Sequence, residues 1–244
     1  MRLSNLKGNK NQLRSQIKQR LLKVSTNSIK EQSSLISNTV TKTTQYQNAK
    51  RIGVYLSMPA GEVQTDSIVR DALNSGKQVF IPYIYEPSKK GTTETNSRSL
   101  MEMVKLVSLA DYESLQRDRW GIPSIDPNTF DQRERVLQTC LEQGGGLDII
   151  FVPGVAFQID LQSKLVRRLG HGKGYYDSFL HQYQAKFHSD SQVSSQLKVP
   201  SLYGLCLKEQ YLSTDDKIDV PMETHDYLLQ GLAIGDGTFH NSTS

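Results

Sequence analysis

Residues 147–152, Leu-Asp-Ile-Ile-Phe-Val, form a run that is apolar apart from Asp148. A strand without polar side chains on either face must be covered on both sides, and such strands lie at the centre of parallel sheets. Upstream, Ile52, Val54 and Leu56 alternate with Gly53 and Tyr55. A loop at 59–63 follows, then a helical pattern over 65–74 with Ile68, Val69, Ala72 and Leu73 on one face, and after Gly76 a second strand at 78–84. Strand, helix and strand at this spacing make a βαβ unit with a right-handed crossover. Further strands are expected at 101–107, 201–207 and 228–234, and helices over 11–24, 25–46 and 133–143, the last closed by Gly144-Gly145-Gly146. The predicted fold is α/β: one three-layer αβα domain spanning 1–244, with a mostly parallel, Rossmann-like central sheet. Two polar stretches near 86–99 and 188–198 lack apolar periodicity and read as surface insertions.

Downstream of the central strand stands Arg167-Arg168-Leu169-Gly170-His171-Gly172-Lys173-Gly174-Tyr175-Tyr176-Asp177. Glycines at alternate positions let backbone N–H groups turn toward an anion, and the helix that Tyr175 opens favours negative charge at its N-terminus. Arg167, Arg168 and Lys173 add cations, and Asp177 adds a carboxylate suited to a divalent metal. The pattern is neither of the common nucleotide loops. A dinucleotide fingerprint needs glycine where Tyr175 stands, and a Walker A loop needs Ser or Thr where Gly174 stands. A glycine-rich turn with solvated cations is the competing reading.

The chain begins without acids. Eight basic residues precede Glu31, the first acidic one. Leu13, Ile17, Leu21 and Val24 recur at helical spacing, and Lys10, Arg14 and Lys18 form a second stripe beside them, which on its own reads as a solvated basic face. A basic, Ser- and Asn-rich start also has the character of a mitochondrial presequence. The expectation is a cytoplasmic protein with a mitochondrial location as the alternative, because Lys10 and Arg14 are needed in the working site on the grounds given below. The formal charge of +4 is too small to demand nucleic acid, and no apolar run reaches membrane-spanning length. Cys140 and Cys206 lack the spacing of a zinc or redox pair. Trp120, the only tryptophan, sits in Trp120-Gly121-Ile122-Pro123, where it is either core or a lid on a flat ligand. His225-Asp226 is a second candidate pair, against the ordinary reading of Asp226 as a turn residue.

Several of these stretches together resemble the 5-formyltetrahydrofolate cyclo-ligase (5,10-methenyltetrahydrofolate synthetase) family. They are Lys10 with Leu13-Arg14 and Lys18-Gln19-Arg20-Leu21; Leu56-Ser57-Met58; Gly61-Glu62-Val63; Trp120 to Pro123; Leu147-Asp148 through Val152-Pro153-Gly154-Val155-Ala156-Phe157; and Arg168-Leu169-Gly170 with Gly172 to Asp177. They occur in family order across most of the chain.

The resemblance implies an enzyme: a ligase that closes 5-formyltetrahydrofolate to 5,10-methenyltetrahydrofolate, with ATP as co-substrate, Mg²⁺ as cofactor, and ADP and phosphate as products. It implies small-molecule partners only, with no nucleic acid and no membrane, and a monomer. By position it places Lys10, Arg14, Arg168, Leu169, Gly170, His171, Gly172, Lys173, Gly174, Tyr175 and Tyr176 on ATP, with Lys173 and Arg168 catalytic. Leu56, Glu62, Met101 and Trp120, with His171 to Tyr175, fall on the folate, and Asp177 and Asp226 on the metal. The chain departs from the family where His171 replaces a common arginine, where Tyr83 stands in place of a basic residue, and where Asn11 follows Lys10 without a second charge. A relative acting on another small acid, or a non-catalytic RNA-binding one, would lose Glu62 and Trp120 or break the glycine loop; all are intact here.

Overall fold

The computed structural model describes residues 2–86, 99–140, 145–189 and 199–242. The insertions expected near 86–99 and 188–198 fall almost wholly outside the described residues. Helices are α1 (Arg2–Leu21), α2 (Thr26–Val40), α3 (Thr44–Asn48), α4 (Asp66–Asn74), α5 (Leu109–Ser114) and α6 (Tyr175–Ser189). Strands are β1 (Arg51–Val54), β2 (Gln78–Tyr85), β3 (Leu100–Lys105), β4 (Gln116–Arg117), β5 (Pro123–Ser124), β6 (Ile149–Val152), β7 (Ala156–Ile159), β8 (Val166–Leu169), β9 (Ser201–Cys206), β10 (Gly231–Ile234) and β11 (Phe239–Asn241).

Seven strands make the central sheet in the order β11-β10-β9-β6-β1-β2-β3. The five inner strands are parallel, and the edge strands β3 and β11 run antiparallel. β6 is buried along its whole length, as its composition demands. The one acid in that run, Asp148, sits at the strand entrance, where Oδ2 accepts from the amides of Lys50 (2.8 Å) and Arg51 (2.9 Å) and fixes the register of β6 against β1.

Two cores flank the sheet. α2 and α4 lay Ile29, Ile36, Val40, Ile68 and Val69 on one face, while α6 lays Phe179, Leu180 and Tyr183 on the other. The three-layer reading therefore holds. A smaller cluster joins Leu13 and Ile17 of α1 to Val155, Ala156 and Leu169. Among the described residues no helix is long and apolar enough to cross a membrane.

Several local expectations give way. The single helix expected over 25–46 breaks at Thr43, whose hydroxyl caps α3 by accepting from the Tyr46 amide. The helix expected over 133–143 does not start at Arg133. Arg135 instead pairs with Val104 beyond the sheet edge, and only a one-turn π-helical segment follows at Val136–Cys140. The buried Glu102 carboxylate accepts from the Leu137 amide (3.0 Å) and so fixes where that turn begins; the rest of the expected helix lies outside the described residues. The excursion expected at 158–166 contains an antiparallel hairpin, β7 with β8. The glycine loop thus leaves the second arm of that hairpin rather than the central strand itself.

Phe157, wholly buried, secures the hairpin to the sheet: its ring lies against Gly154 and Gly204 so closely that a Cβ on either would sit 2.6–2.7 Å from it. Phe157→Ala is expected to cost about 3–5 kcal/mol, the ordinary penalty for a cavity left by a buried ring, and to lower the thermal unfolding midpoint accordingly.

Candidate active site

Among the parallel strands, β1 has β2 on one side and β6 on the other, and the chain leaves β1 and β6 toward opposite faces, through α4 and α6. Such a switch point opens a crevice beyond the carboxyl ends of the strands. Four segments converge there: the loop after β1, the turn after β6, the glycine loop after β8, and the first half of α1.

On β8 alternate side chains face opposite ways. Arg167 turns outward to an ion pair with Asp160, so it is not part of the cradle. Arg168 turns inward and is buried; its Nη1 donates to the Pro153 carbonyl (3.1 Å) and its Nη2 to Asp177 Oδ1 (2.8 Å). The remaining Nε–H is buried without a hydrogen-bond partner. Gly172 and Gly174 take φ of +93° and +69°, conformations that aim successive amides outward from the loop, and a Cβ at Gly172 would lie 3.3 Å from the Arg14 guanidinium. Lys173 is exposed and makes no ion pair among the described residues. α6 begins at Tyr175, immediately after these amides.

α1 completes the wall. Its basic stripe divides: Lys18 is solvated, whereas Lys10, only 7% exposed, and Arg14 face the loop. Lys10 Nζ lies 2.7 Å from both Glu223 Oε2 and Asp226 Oδ2. Burial alone would lower its pKa, but the hydrogen bonds to Asp226 and Glu223 outweigh it and hold the ammonium charged. Arg14 Nε donates to the Gly170 carbonyl (2.8 Å), and its Nη1 to Asn11 Oδ1 (2.7 Å). Asn11, which looked like a missing charge, orients the arginine instead. His171 has surface open to solvent, yet the density of protein around the ring, with the Arg168 and Arg14 charges, pushes its pKa down. It is the neutral imidazole at pH 7 that faces the loop.

Across the crevice, Leu56 is buried just past β1, and Glu62 is 6% exposed on a loop with Gly61 at φ +82°. Glu62 Oε1 accepts from the Met58 amide (2.5 Å), and Gln64 ties the loop by donating to the Met58 and Glu62 carbonyls, 3.0 Å each. Burial pushes the Glu62 carboxyl up to about 7, against the lowering effect of the Met58 amide. Trp120, 58% exposed, tips the β4–β5 hairpin with the Arg119 guanidinium 3.9 Å over its ring. Asp118 Oδ1 accepts from the Trp120 and Ile122 amides, and Gly121 (φ +78°) packs so tightly on Pro59 that a Cβ would fall 2.7 Å from Cγ. The turn is therefore fixed beside the Glu62 loop, and the indole it carries is exposed, not core, with Arg119 over one face.

The structure brings together Lys10, Arg14, Arg168 to Asp177 and Asp226 on one side of the crevice, with Leu56 and Glu62 on the loop opposite. Met101 is 4% exposed within the core cluster that holds Phe80 and Phe179. Tyr83 packs on Phe130, with ring centroids 4.7 Å apart and planes tilted by 33°. Sequence reasoning missed Gln64 and Glu223, and took Asn11 only for an absent charge. Glu223 left a trace as the acid three residues before Asp226.

For a divalent cation the donor set is uneven. Asp177 has Oδ1 on Arg168, while Oδ2 makes no hydrogen bond among the described residues. Asp226 Oδ2 already accepts from Lys10 and from the Glu223 amide. Glu223, His225 and Asp226 hold their ligand atoms within 4.8 Å of one another. A hard cation that keeps waters and takes one or two carboxylates beside phosphate oxygens fits Asp177.

The sequence model of the 5-formyltetrahydrofolate cyclo-ligase family matches residues 6–233. A probable 5-formyltetrahydrofolate cyclo-ligase of Caenorhabditis elegans is 32% identical over 95% of this chain and 98% of its own. The 5-formyltetrahydrofolate cyclo-ligase of Mus musculus is 36% identical over 88% of this chain and 87% of its own. The solved 5,10-methenyltetrahydrofolate synthetase of Aquifex aeolicus superimposes with a TM-score of 0.60 at 20% identity, covering 96% of this chain and 93% of its own, a likeness of fold.

Proposed function

The chain belongs to the 5-formyltetrahydrofolate cyclo-ligase family, and on that premise we propose that it closes 5-formyltetrahydrofolate to 5,10-methenyltetrahydrofolate with ATP, giving ADP and phosphate. The observation that carries this reading is the meeting, at the β1/β6 switch point, of a cation-walled glycine loop with a buried carboxylate on the facing loop. One half suits a triphosphate and the other a flat heterocycle with N–H donors.

A formyl amide is a weak electrophile whose oxygen leaves poorly, so the ring does not close unaided. Transfer of the γ-phosphoryl group to that oxygen yields an imidate-like phosphate that N10 of the same folate attacks, expelling phosphate. The protein's share is positioning and charge neutralisation. Lys10, Arg14, Arg168 and Lys173 hold phosphate oxygens, with the amides of Gly170 to Gly174 and the α6 N-terminus behind them. Glu62 accepts from the pterin's donor edge; Leu56, Tyr175 and Trp120 pack on its faces. Asp177, with one oxygen committed to Arg168, is the ligand offered to Mg²⁺, which when bound neutralises triphosphate charge and orients the terminal group. Asp226 holds Lys10 in place rather than serving first as a metal ligand. The residues assigned here to both substrates come from one chain, which supports a monomer. Because Lys10 and Arg14 sit inside the crevice, α1 belongs to the working site.

The test follows the absorbance of methenyl-folate formed from 5-formyltetrahydrofolate with and without ATP. Product that depends on ATP and appears with one ADP per turnover is expected. No ATP-dependent product would reduce the assignment to fold.

A further inference from the structure

Tyr176, the second residue of α6, carries a feature that packing does not explain. Its hydroxyl oxygen is buried and has no hydrogen-bond partner among the described residues. Leaving such a group unpaired costs about 1–3 kcal/mol, and phenylalanine would keep the ring without that cost. The ring is wedged between the two main cores, packing against both, and the Arg168 guanidinium carbon lies 6.0 Å from its centre. Arg168 Nε–H, on the same wall, is likewise buried and unpartnered. Two buried groups able to donate are thus left without a protein partner on this wall.

Their surroundings indicate what they face. Burial raises the Tyr176 pKa, with Arg168 opposing it and the nearby Glu62 charge reinforcing it, so the phenol keeps its proton and has it to donate in a hydrogen bond. It stands within electrostatic reach of both the carboxylate assigned to the pterin and the arginine assigned to phosphate. The atom through which the two substrates become joined is the formyl oxygen.

Resting on the function proposed above, we infer that the Tyr176 O–H is a further catalytic group, donating a hydrogen bond to the oxygen that travels from the formyl carbon to phosphate. In the first step that oxygen attacks the γ-phosphorus, and the bond to ADP breaks with its electron pair going to ADP. In the second, N10 bonds to the imidate-like carbon, the C–O bond breaks with its pair going to phosphate, and the N10 proton passes to solvent. Negative charge gathers on the travelling oxygen only in the second step, so a fixed neutral donor there favours ring closure over phosphoryl transfer.

Tyr176→Phe tests this by rapid-quench measurement of ADP beside stopped-flow measurement of methenyl-folate. ADP is expected to form in the first turnover at nearly the wild-type rate, while methenyl-folate lags and its steady rate falls about 10²-fold. The midpoint of thermal unfolding is expected to stay or rise, since an unpaired hydroxyl has been removed. Unchanged methenyl formation, an equal slowing of both products, or a lowered midpoint that reveals a structural partner for the hydroxyl would each overturn the inference. If the wild-type chain forms no methenyl-folate, it is the function proposed above that fails.

Discussion

Lys173→Ala is expected to lower kcat/KM by about 10²–10³ while leaving the thermal midpoint within a degree or two of wild type. Lys173 is exposed and has no ion pair to lose among the described residues, so its removal withdraws a cation from the triphosphate and little else. Arg168→Ala is expected to do more and in two ways. It removes a guanidinium from the transferring group, an effect of about 10³-fold or greater where an arginine meets a phosphoryl transition state. It also strands Asp177 and the Pro153 carbonyl, which lose contacts at 2.8 and 3.1 Å. The Arg168 and Asp177 side chains are 5% and 18% exposed, so the penalty falls below that of a fully buried pair, at about 1–3 kcal/mol. Steady-state kinetics and thermal unfolding on the same preparations separate the two. A destabilised Lys173→Ala, or an Arg168→Ala that turns over normally, would refute the division of labour between a mobile cation and a framework cation.

That division shows which parts of the site were legible in the sequence. The glycine loop is contiguous, so its glycines, cations and Asp177 could be read together, and the central strand announced itself because β6 is buried on both faces. The contacts of α1 are of another kind: Lys10 meets Glu223 and Asp226 more than two hundred residues away, and nothing local separates Lys10 and Arg14 from the solvated Lys18. For the same reason Arg167 and Arg168 looked alike until strand alternation sent one to Asp160 and the other to Asp177. The helix expected from Arg133 fails to start there for a physical cause. Glu102, from a strand thirty-odd residues earlier, captures the Leu137 amide and competes with helical hydrogen bonding. Periodicity reports which side chains want burial and is blind to a distant carboxylate that takes a backbone donor.

Glu62→Gln is expected to raise the KM for 5-formyltetrahydrofolate by about 10²–10³, since a carboxylate that accepts from a heterocycle's N–H edge is replaced by an amide whose NH₂ faces those donors. The pH dependence identifies the mechanism. Burial pushes the Glu62 carboxyl up to about 7 from an ordinary value of 4.5, so the folded chain prefers it protonated. Its contribution to stability is then fully present below pH 4.5 and is lost as the pH rises through 7, by about 3 kcal/mol at most. The pterin reverses the preference, because its donors pair with the ionised form. Binding therefore releases a proton below pH 7, and the KM is expected to fall as the pH approaches 7 from below and then to level off. Glu102, also pushed up to about 7 by burial, adds a loss of the same sign to the unfolding curve but not to the KM. The wild-type midpoint should consequently decline between pH 5 and 8 more than that of Glu62→Gln, which should be the more stable protein at pH 8 and should show a KM that no longer responds to pH. Parallel unfolding curves for the two proteins, or a variant whose KM still tracks pH, would show that Glu62 is neither the strained acid nor the group that reads the folate.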